Sequence, residues 1–223
     1  MKNPKEASPK YKFFILILFT VFYFIFYVGP NFYPIFPPQF LPMWKIDHWV
    51  PLLPWTFVIY LSDYILAIMI IFSLRSLDQF NSLARTAFTV LVVSGLFFSF
   101  FPTCYPRPTY PDGQFFLIEW LMNLVKYGDT PNNCFPSMHV AITAVCAYSI
   151  RHRGRSLHFA YWVWSILIFI STLTTKQHYF VDILGGLGVA TFVILVEQKC
   201  YSNAWFTTNG KRFLGPLVSR INS

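Results

Sequence analysis

Charge is scarce in this sequence. Asp, Glu, Lys and Arg make up 12% of its 223 residues, where soluble domains carry about 25%. Acidic residues are the scarcer kind: 9 Asp and Glu against 17 Lys and Arg leave a formal net charge of +8. Cysteine is sparse too, and four residues are too few for a disulfide-stapled scaffold. With hydrophobic residues at 55%, the chain is far too apolar to be disordered. What is present is a series of long apolar runs. The class that remains is an all-α, polytopic membrane protein.

A helix needs about 20 mostly apolar residues to cross the hydrocarbon core. Six spans are predicted, at 13–28, 52–74, 83–101, 137–150, 157–174 and 179–196. The fourth is short and starts at a motif, which sets its first turn near the interface. The first lacks a small-x-small cleavage site and runs into Gly29-Pro30, so it reads as a retained anchor. The whole chain, 1–223, is expected to form a single membrane domain with its catalytic core over about 100–196.

Six spans put both termini on one side. Of the 17 Lys and Arg residues, only Lys45, Arg107, Lys126 and Lys176 fall on the other. The rest lie in the amino terminus, at Arg75 and Arg85, at Arg151, Arg153 and Arg155, and in a tail carrying Lys199, Lys211, Arg212 and Arg220. The positive-inside rule then places both termini in the cytoplasm. The surplus of positive charge is an orientation signal, helped by anionic lipid, and implies no nucleic-acid partner. The expected setting is an inner, plasma or organelle membrane. Two outer segments follow: 30–54, rich in proline and aromatics, and 103–133, whose amphipathic stretch 115–127 is expected to lie as a short helix on the bilayer surface.

Three stretches on that outer side carry chemistry. They are Cys104-Tyr105-Pro106-Arg107-Pro108, Cys134-Phe135-Pro136-Ser137-Met138-His139, and Thr175-Lys176-Gln177-His178-Tyr179-Phe180-Val181-Asp182. His178 and Asp182 are four apart and share a helix face. A carboxylate there can hold one imidazole N–H and leave the other nitrogen free to attack. The same pair could instead hold two helices together. Pro136 suits a first helical turn, and a helix start at Ser137 would aim backbone N–H groups at an anion, phosphate above all. His139 brings a second imidazole to that point. Arg107 suits bidentate phosphate contacts. Lys176 is either a second phosphate cation or a solvated interfacial lysine.

These blocks resemble the type-2 phosphatidic acid phosphatase superfamily of integral-membrane lipid phosphatases and phosphotransferases. Its pattern reads K-x-x-x-x-x-x-R-P, then P-S-G-H, then S-R-x-x-x-x-x-H-x-x-x-D. Arg107-Pro108 match the end of the first block, Pro136-Ser137 and His139 the second, and Ser171, His178 and Asp182 the third. There are three departures: Phe100 stands where the pattern has lysine, Met138 where it has glycine, and Thr172 where it has arginine. Lys176 is the candidate replacement for one missing cation. The Pro-Ser-Met-His and Thr-Lys-Gln-His-Tyr forms are most similar to the inositol-phosphorylceramide-synthase-like branch, which moves phospho-head-groups between lipids.

The resemblance implies six spans, a lipid phosphate substrate, no cofactor and no metal. It implies that His178 attacks phosphorus to form a phospho-histidine, with Asp182 stabilising the imidazolium. It implies that His139 protonates the leaving alkoxide and then activates water or an acceptor hydroxyl. Arg107, Lys176 and Ser137 would bind the phosphoryl oxygens. Beside that reading stands a non-catalytic phospholipid-binding or transport protein with a relic site. A proton-coupled transporter through Asp63 and the His–Asp pair fits less well, because the other spans lack polar residues.

Asp63, in the middle of the second span, is a functional candidate by default, its alternative being a hydrogen bond to a neighbouring helix. Cys104 and Cys134 flank the outer loop and could form a disulfide that pins Arg107 near His139. Gly185, Gly186 and Gly188 suit close helix packing.

Overall fold

The computed structural model describes residues 5–202, so Lys2, Lys211, Arg212 and Arg220 lie outside the described residues. Among the described residues five helices are long and apolar enough to cross a membrane: Pro9–Phe32, Pro54–Ser73, Leu77–Phe100, Arg155–Thr174 and Phe180–Cys200. The protein is an all-α integral membrane protein. The fourth predicted span is a helix of 12 residues, Met138–Ser149, continued by a 3-10 turn, Ile150–Arg153. Its 12 residues are fewer than the roughly 20 of a lipid-facing crossing, and its sides are buried by the other helices. Both its apolar and its small polar side chains are buried, Ala141, Thr143, Ala144, Ala147 and Ser149 among them. It packs on the third, fifth and sixth of the segments predicted as spans. Lipid tails are as apolar as leucine, so small residues that let backbones approach are what hold such a helix centrally.

Several boundaries differ from the sequence reading, each for a local reason. The first helix does not stop at Gly29-Pro30: it runs to Phe32 through a π-helical stretch, Phe24–Val28. Proline lacks an N–H and its ring crowds the carbonyl four residues back, and the widened turn makes room for it. The third helix starts at Leu77, before the predicted 83, because Asp78, Gln79 and Asn81 hide its first turns from a hydropathy reading. The second is interrupted at Leu61, between Phe57–Tyr60 and Ser62–Ser73. The amphipathic stretch is helical over Phe116–Gly128, close to expectation. A pair of two-residue parallel strands, β1 (Gln39–Phe40) and β2 (Thr103–Cys104), was not foreseen.

The bundle has two different ends. At one, the amino-terminal segment is tied to the turn between the second and third helices. Ala7 N–H donates to the Arg75 carbonyl at 2.9 Å and Leu77 N–H to that of Lys5 at 2.8 Å. The Lys12 ammonium caps the carbonyls of Ile71 and Leu74 at 2.8 and 2.6 Å. Arg85 clasps Glu197 of the last helix at 2.6 Å. At the other end the two outer segments are knit to each other. Asn31 bonds Thr130 and Asn132 through side chain and backbone. Thr103 receives the N–H groups of Cys134 and Phe135, through its carbonyl and its hydroxyl respectively. The three motifs all lie at this second end.

Candidate active site

The loop that carries His178 is built from the end of the Arg155–Thr174 helix. Lys176 takes a left-handed conformation, φ 56°, which turns the chain back. The N–H groups of Gln177 and His178 then both donate to the Thr172 carbonyl at 3.1 Å. The next helix starts at Phe180. Its first turn is held from two sides: Asp182 Oδ2 accepts from Tyr179 N–H at 2.9 Å, and Asp47 Oδ1 accepts from Phe180 N–H at 2.7 Å.

His178 is therefore fixed before its ring makes any contact. Its Nδ1 lies 3.0 Å from the Cys134 carbonyl and 3.4 Å from Asp182 Oδ2. The sequence pointed to Asp182 as the partner, and the nearer acceptor is a backbone carbonyl of the second motif. Two acceptors at one nitrogen put the proton on Nδ1 and leave the Nε2 lone pair for an electrophile. Asp182 is fully buried, and Tyr105 O–H donates to its Oδ1 at 3.1 Å. Tyr105 was part of a quoted motif but was not singled out, since nothing in a linear pattern predicts that contact.

The second motif is pressed onto the same helix. Ser137 N–H donates to the Asp182 carbonyl at 3.1 Å. That approach needs glycine opposite. A Cβ on Gly186 would lie 2.5 Å from the Ser137 carbonyl oxygen, and one on Gly185 would lie 2.3 Å from the Phe135 ring. Pro136 precedes the helix instead of opening its first turn, and Ser137 is the N-cap, its Oγ accepting from Val140 N–H at 3.4 Å. The buried Ser137 hydroxyl is thus part of the helix start. The N–H groups of Met138 and His139 are the ones a helix start leaves without an intrahelical partner.

His139, one turn into the central helix, comes to face His178, with ring centres 5.7 Å apart. Its Nε2 is 3.5 Å from Asp63 Oδ2, and Tyr60 O–H is 3.5 Å from its Nδ1. Asp63, a bare candidate in the sequence, thus has an imidazole as its neighbour. Tyr60 was missed, although three residues before Asp63 is the same helix face.

Arg107 reaches the C-terminal end of the Phe116–Gly128 helix. It donates to the carbonyls of Asp129 and Lys126 at 2.6 and 3.4 Å and stands 3.7 Å from the Asp129 carboxylate. A cation at a helix C-terminus is favoured by the helix dipole. Burial raises the pKa of Asp129, while Arg107 and His178 pull it down, so this carboxylate lies within electrostatic range of both. Its Oδ1 is buried without a hydrogen-bond partner.

Lys176 and Ser171 have other partners. The Lys176 ammonium donates to the carbonyls of Asp47 and Val50 at 2.8 and 2.6 Å, and burial lowers its pKa. It ties the first outer segment to the motif loop, a role the sequence reading did not consider. Ser171 Oγ, buried, donates to the Ile168 carbonyl of its own helix at 2.7 Å. Cys104 and Cys134 are both free thiols, the latter donating to the Pro131 carbonyl, so the disulfide that their placement allowed is not formed. Among the described residues no group of three or more His, Cys, Asp or Glu side chains could hold a metal ion.

Two cavities take part of their lining from the motifs. One, of about 540 Å³, opens between residues 107–112 and the Phe116–Gly128 helix, lined by Arg107, Tyr110, Asp112, Glu119, Asn123 and Lys126 among others. The other, of about 350 Å³, is an apolar groove that includes Phe97, Phe135, Gly185, Val189 and Phe192. The first recess thus carries Arg107 of the first motif, and the apolar groove carries Phe135 and Pro136 of the second. No curated protein matches the chain. A family model described as the PAP2 superfamily matches residues 48–196, a stretch that holds both imidazoles, their carboxylates and Arg107. The chain belongs to the PAP2 superfamily, the type-2 phosphatidic acid phosphatases, and is an integral-membrane enzyme of phosphatase or phosphotransferase type.

Proposed function

We propose that the protein cleaves a lipid phosphate ester through a phospho-histidine on His178, without a metal ion. The observation that carries this reading is the pair of imidazoles 5.7 Å apart, one with its Nδ1 held by two acceptors. The Nε2 lone pair of His178 attacks phosphorus. The ester P–O bond breaks, and the leaving alkoxide takes a proton from His139. In the second half His139 takes a proton from water or an acceptor hydroxyl, whose oxygen attacks phosphorus and returns the electron pair to His178. Arg107 and the N–H groups of Met138 and His139 stabilise the phosphoryl oxygens.

Charge favours transfer from a phosphodiester over hydrolysis of a phosphomonoester. Around the imidazoles the carboxylates of Asp63, Asp129 and Asp182 stand against the guanidinium of Arg107. The family's first lysine and third-block arginine are Phe100 and Thr172 here, and the Lys176 ammonium is bonded to backbone carbonyls. A dianionic monoester would meet like charge with little to offset it, whereas a monoanionic diester meets half as much. The alternative of a non-catalytic phospholipid carrier leaves the orientation of His178 without a purpose.

The site is read as facing the periplasm, the cell exterior or an organelle lumen, with both termini cytoplasmic. Support comes from the basic residues Lys5, Lys12, Arg75 and Arg85 gathering at the opposite end. The test is purified protein in nanodiscs with excess chelator and lipids labelled at phosphorus. Phosphatidate, phosphatidylglycerol phosphate, a polyprenyl diphosphate and phosphatidylinositol with ceramide as acceptor form the panel. The expected result is turnover with an acid-labile phospho-protein intermediate, both abolished in His178→Ala. Full activity in that variant would end the proposal.

A further inference from the structure

The mechanism above gives the carboxyl group of Asp63 no task. Asp63 belongs to the second span, away from the three motifs in sequence. Its side chain and that of His139 are only 13% and 10% exposed. The span is interrupted just before it, at Leu61. Ser62 donates to the Ile59 carbonyl and accepts from the Trp164 indole N–H at 2.8 Å, which anchors the break to the fifth helix. Asp63 Oδ1 accepts from Tyr64 N–H at 2.7 Å, and that bond aims Oδ2 at His139 Nε2. Tyr60 lies against the other side of the same imidazole, ring centres 4.5 Å apart. Each of the two facing imidazoles therefore has its own carboxylate, from a different helix.

We infer that Asp63 is the positioning residue of His139, holding its Nε2 so that Nδ1, on the Tyr60 side, exchanges the proton with the leaving and entering oxygens. This rests on the reading of His178 as nucleophile. The chemistry requires it: His139 must start as an imidazolium, give its proton to the alkoxide, and then accept one from the acceptor hydroxyl. An imidazolium in a low-dielectric interior is costly unless a counter-charge is fixed beside it. The carboxylate of Asp63 supplies that charge. It takes no part in bond making and acts through His139 alone. If the pair were merely a staple between the second span and the central helix, losing it would affect every substrate alike.

Leaving-group chemistry separates the two roles, because an alkoxide needs a proton to depart and p-nitrophenolate does not. The experiment uses the full-length protein in nanodiscs with two phosphodiesters that differ only in leaving group, an alkyl alcohol and p-nitrophenol. The rate of phospho-His178 formation is measured for wild type, Asp63→Asn, Asp63→Glu and His139→Ala. For Asp63→Asn the expected loss is roughly 10²–10³-fold with the alkyl ester, the lower part of the range of general acid catalysis, and less than about tenfold with the nitrophenyl ester. His139→Ala should show the same split, and Asp63→Glu should recover part of the alkyl rate. Equal losses on both substrates, or none on either, would overturn the role of Asp63. An Asp63→Asn protein that fails to fold is replaced by Asp63→Glu, whose lengthened side chain must still slow the alkyl ester more than the aryl one. If wild type acquires no label, or His178→Ala still does, the underlying reading of the site falls instead.

Discussion

His139 and His178 face each other with ring centres 5.7 Å apart, yet neither imidazole is aimed by its own segment alone. His178 is set by a left-handed turn at Lys176 and by the carbonyls of Thr172 and Cys134. His139 is set by the Ser137 cap and by contact with the second span. Joining them are the Ser137 N–H to Asp182 carbonyl bond and two glycines that let it form.

Gly186→Ala should therefore damage the site from behind. The added methyl would meet the Ser137 carbonyl oxygen at 2.5 Å, and backbone does not yield cheaply. Overpacking of this kind costs about 1–3 kcal/mol, and the loop must move away. Thermal unfolding and turnover should both fall. At Gly185 the obstacle is the Phe135 ring, so Phe135→Ala should restore part of what Gly185→Ala loses. A Gly185→Ala loss that the second change leaves untouched would count against this packing.

Asp182→Asn keeps the shape and removes the charge. Two of its contacts accept from N–H or O–H donors, Tyr179 and Tyr105, so an amide nitrogen facing either leaves a donor unmatched. Turnover should fall by roughly 10²–10⁴, as when a buried carboxylate behind a catalytic imidazole becomes an amide. Tyr105→Phe should cost about 1–2 kcal/mol for the stranded Asp182 oxygen, with a smaller loss of rate. Single-turnover labelling of His178 checks both.

Lys176→Ala should lower stability and leave substrate affinity alone. Its ammonium bonds two carbonyls of the first outer segment, and hydrogen bonds to charged groups are worth about 1.5–3 kcal/mol each. The expected outcome is a lower melting temperature with KM within about twofold of wild type. A large rise in KM with stability intact would instead make Lys176 a phosphate ligand, as its place in the motif first suggested.

Asp129→Asn should shift substrate preference. It leaves the bonds from Arg107 to the Asp129 and Lys126 carbonyls in place and removes a negative charge beside that guanidinium, so monoesters should gain on diesters by about tenfold, the equivalent of about 1.4 kcal/mol. Burial raises the pKa of Asp129. Its contribution to stability is therefore complete below the ordinary carboxylate range and is lost as pH rises through the raised value. The Asn variant should show a shallower fall in melting temperature over that window. An unchanged monoester-to-diester ratio would remove Asp129 from the account of specificity.

Much was legible before any fold was known. Apolar runs declared the spans because a bilayer demands about 20 such residues in a row, and the segment 115–127 declared its helix by amphipathicity. The spacing of His178 and Asp182 predicted their contact, which is at 3.4 Å, but not on a shared helix face, because His178 sits in the loop before the helix that starts at Phe180. Patterns of that kind failed where the cause was not local. Pro30 reads as a stop, but a π-helical turn absorbs it. The 137–150 run reads as a span like the others, but its helix has 12 residues and is buried among them.

By itself the sequence determined a membrane-embedded helical protein carrying two imidazoles and a helix start, since composition and short spacings encode burial and local geometry. Only the tertiary structure decided which groups surround those imidazoles. It turned Lys176 toward Asp47 and Val50, and it brought Cys134, Asp63 and Tyr60 to the rings. Such partners come from helices far apart along the chain, and they meet because small residues allow the helices to close on one another, a contact that no linear spacing records.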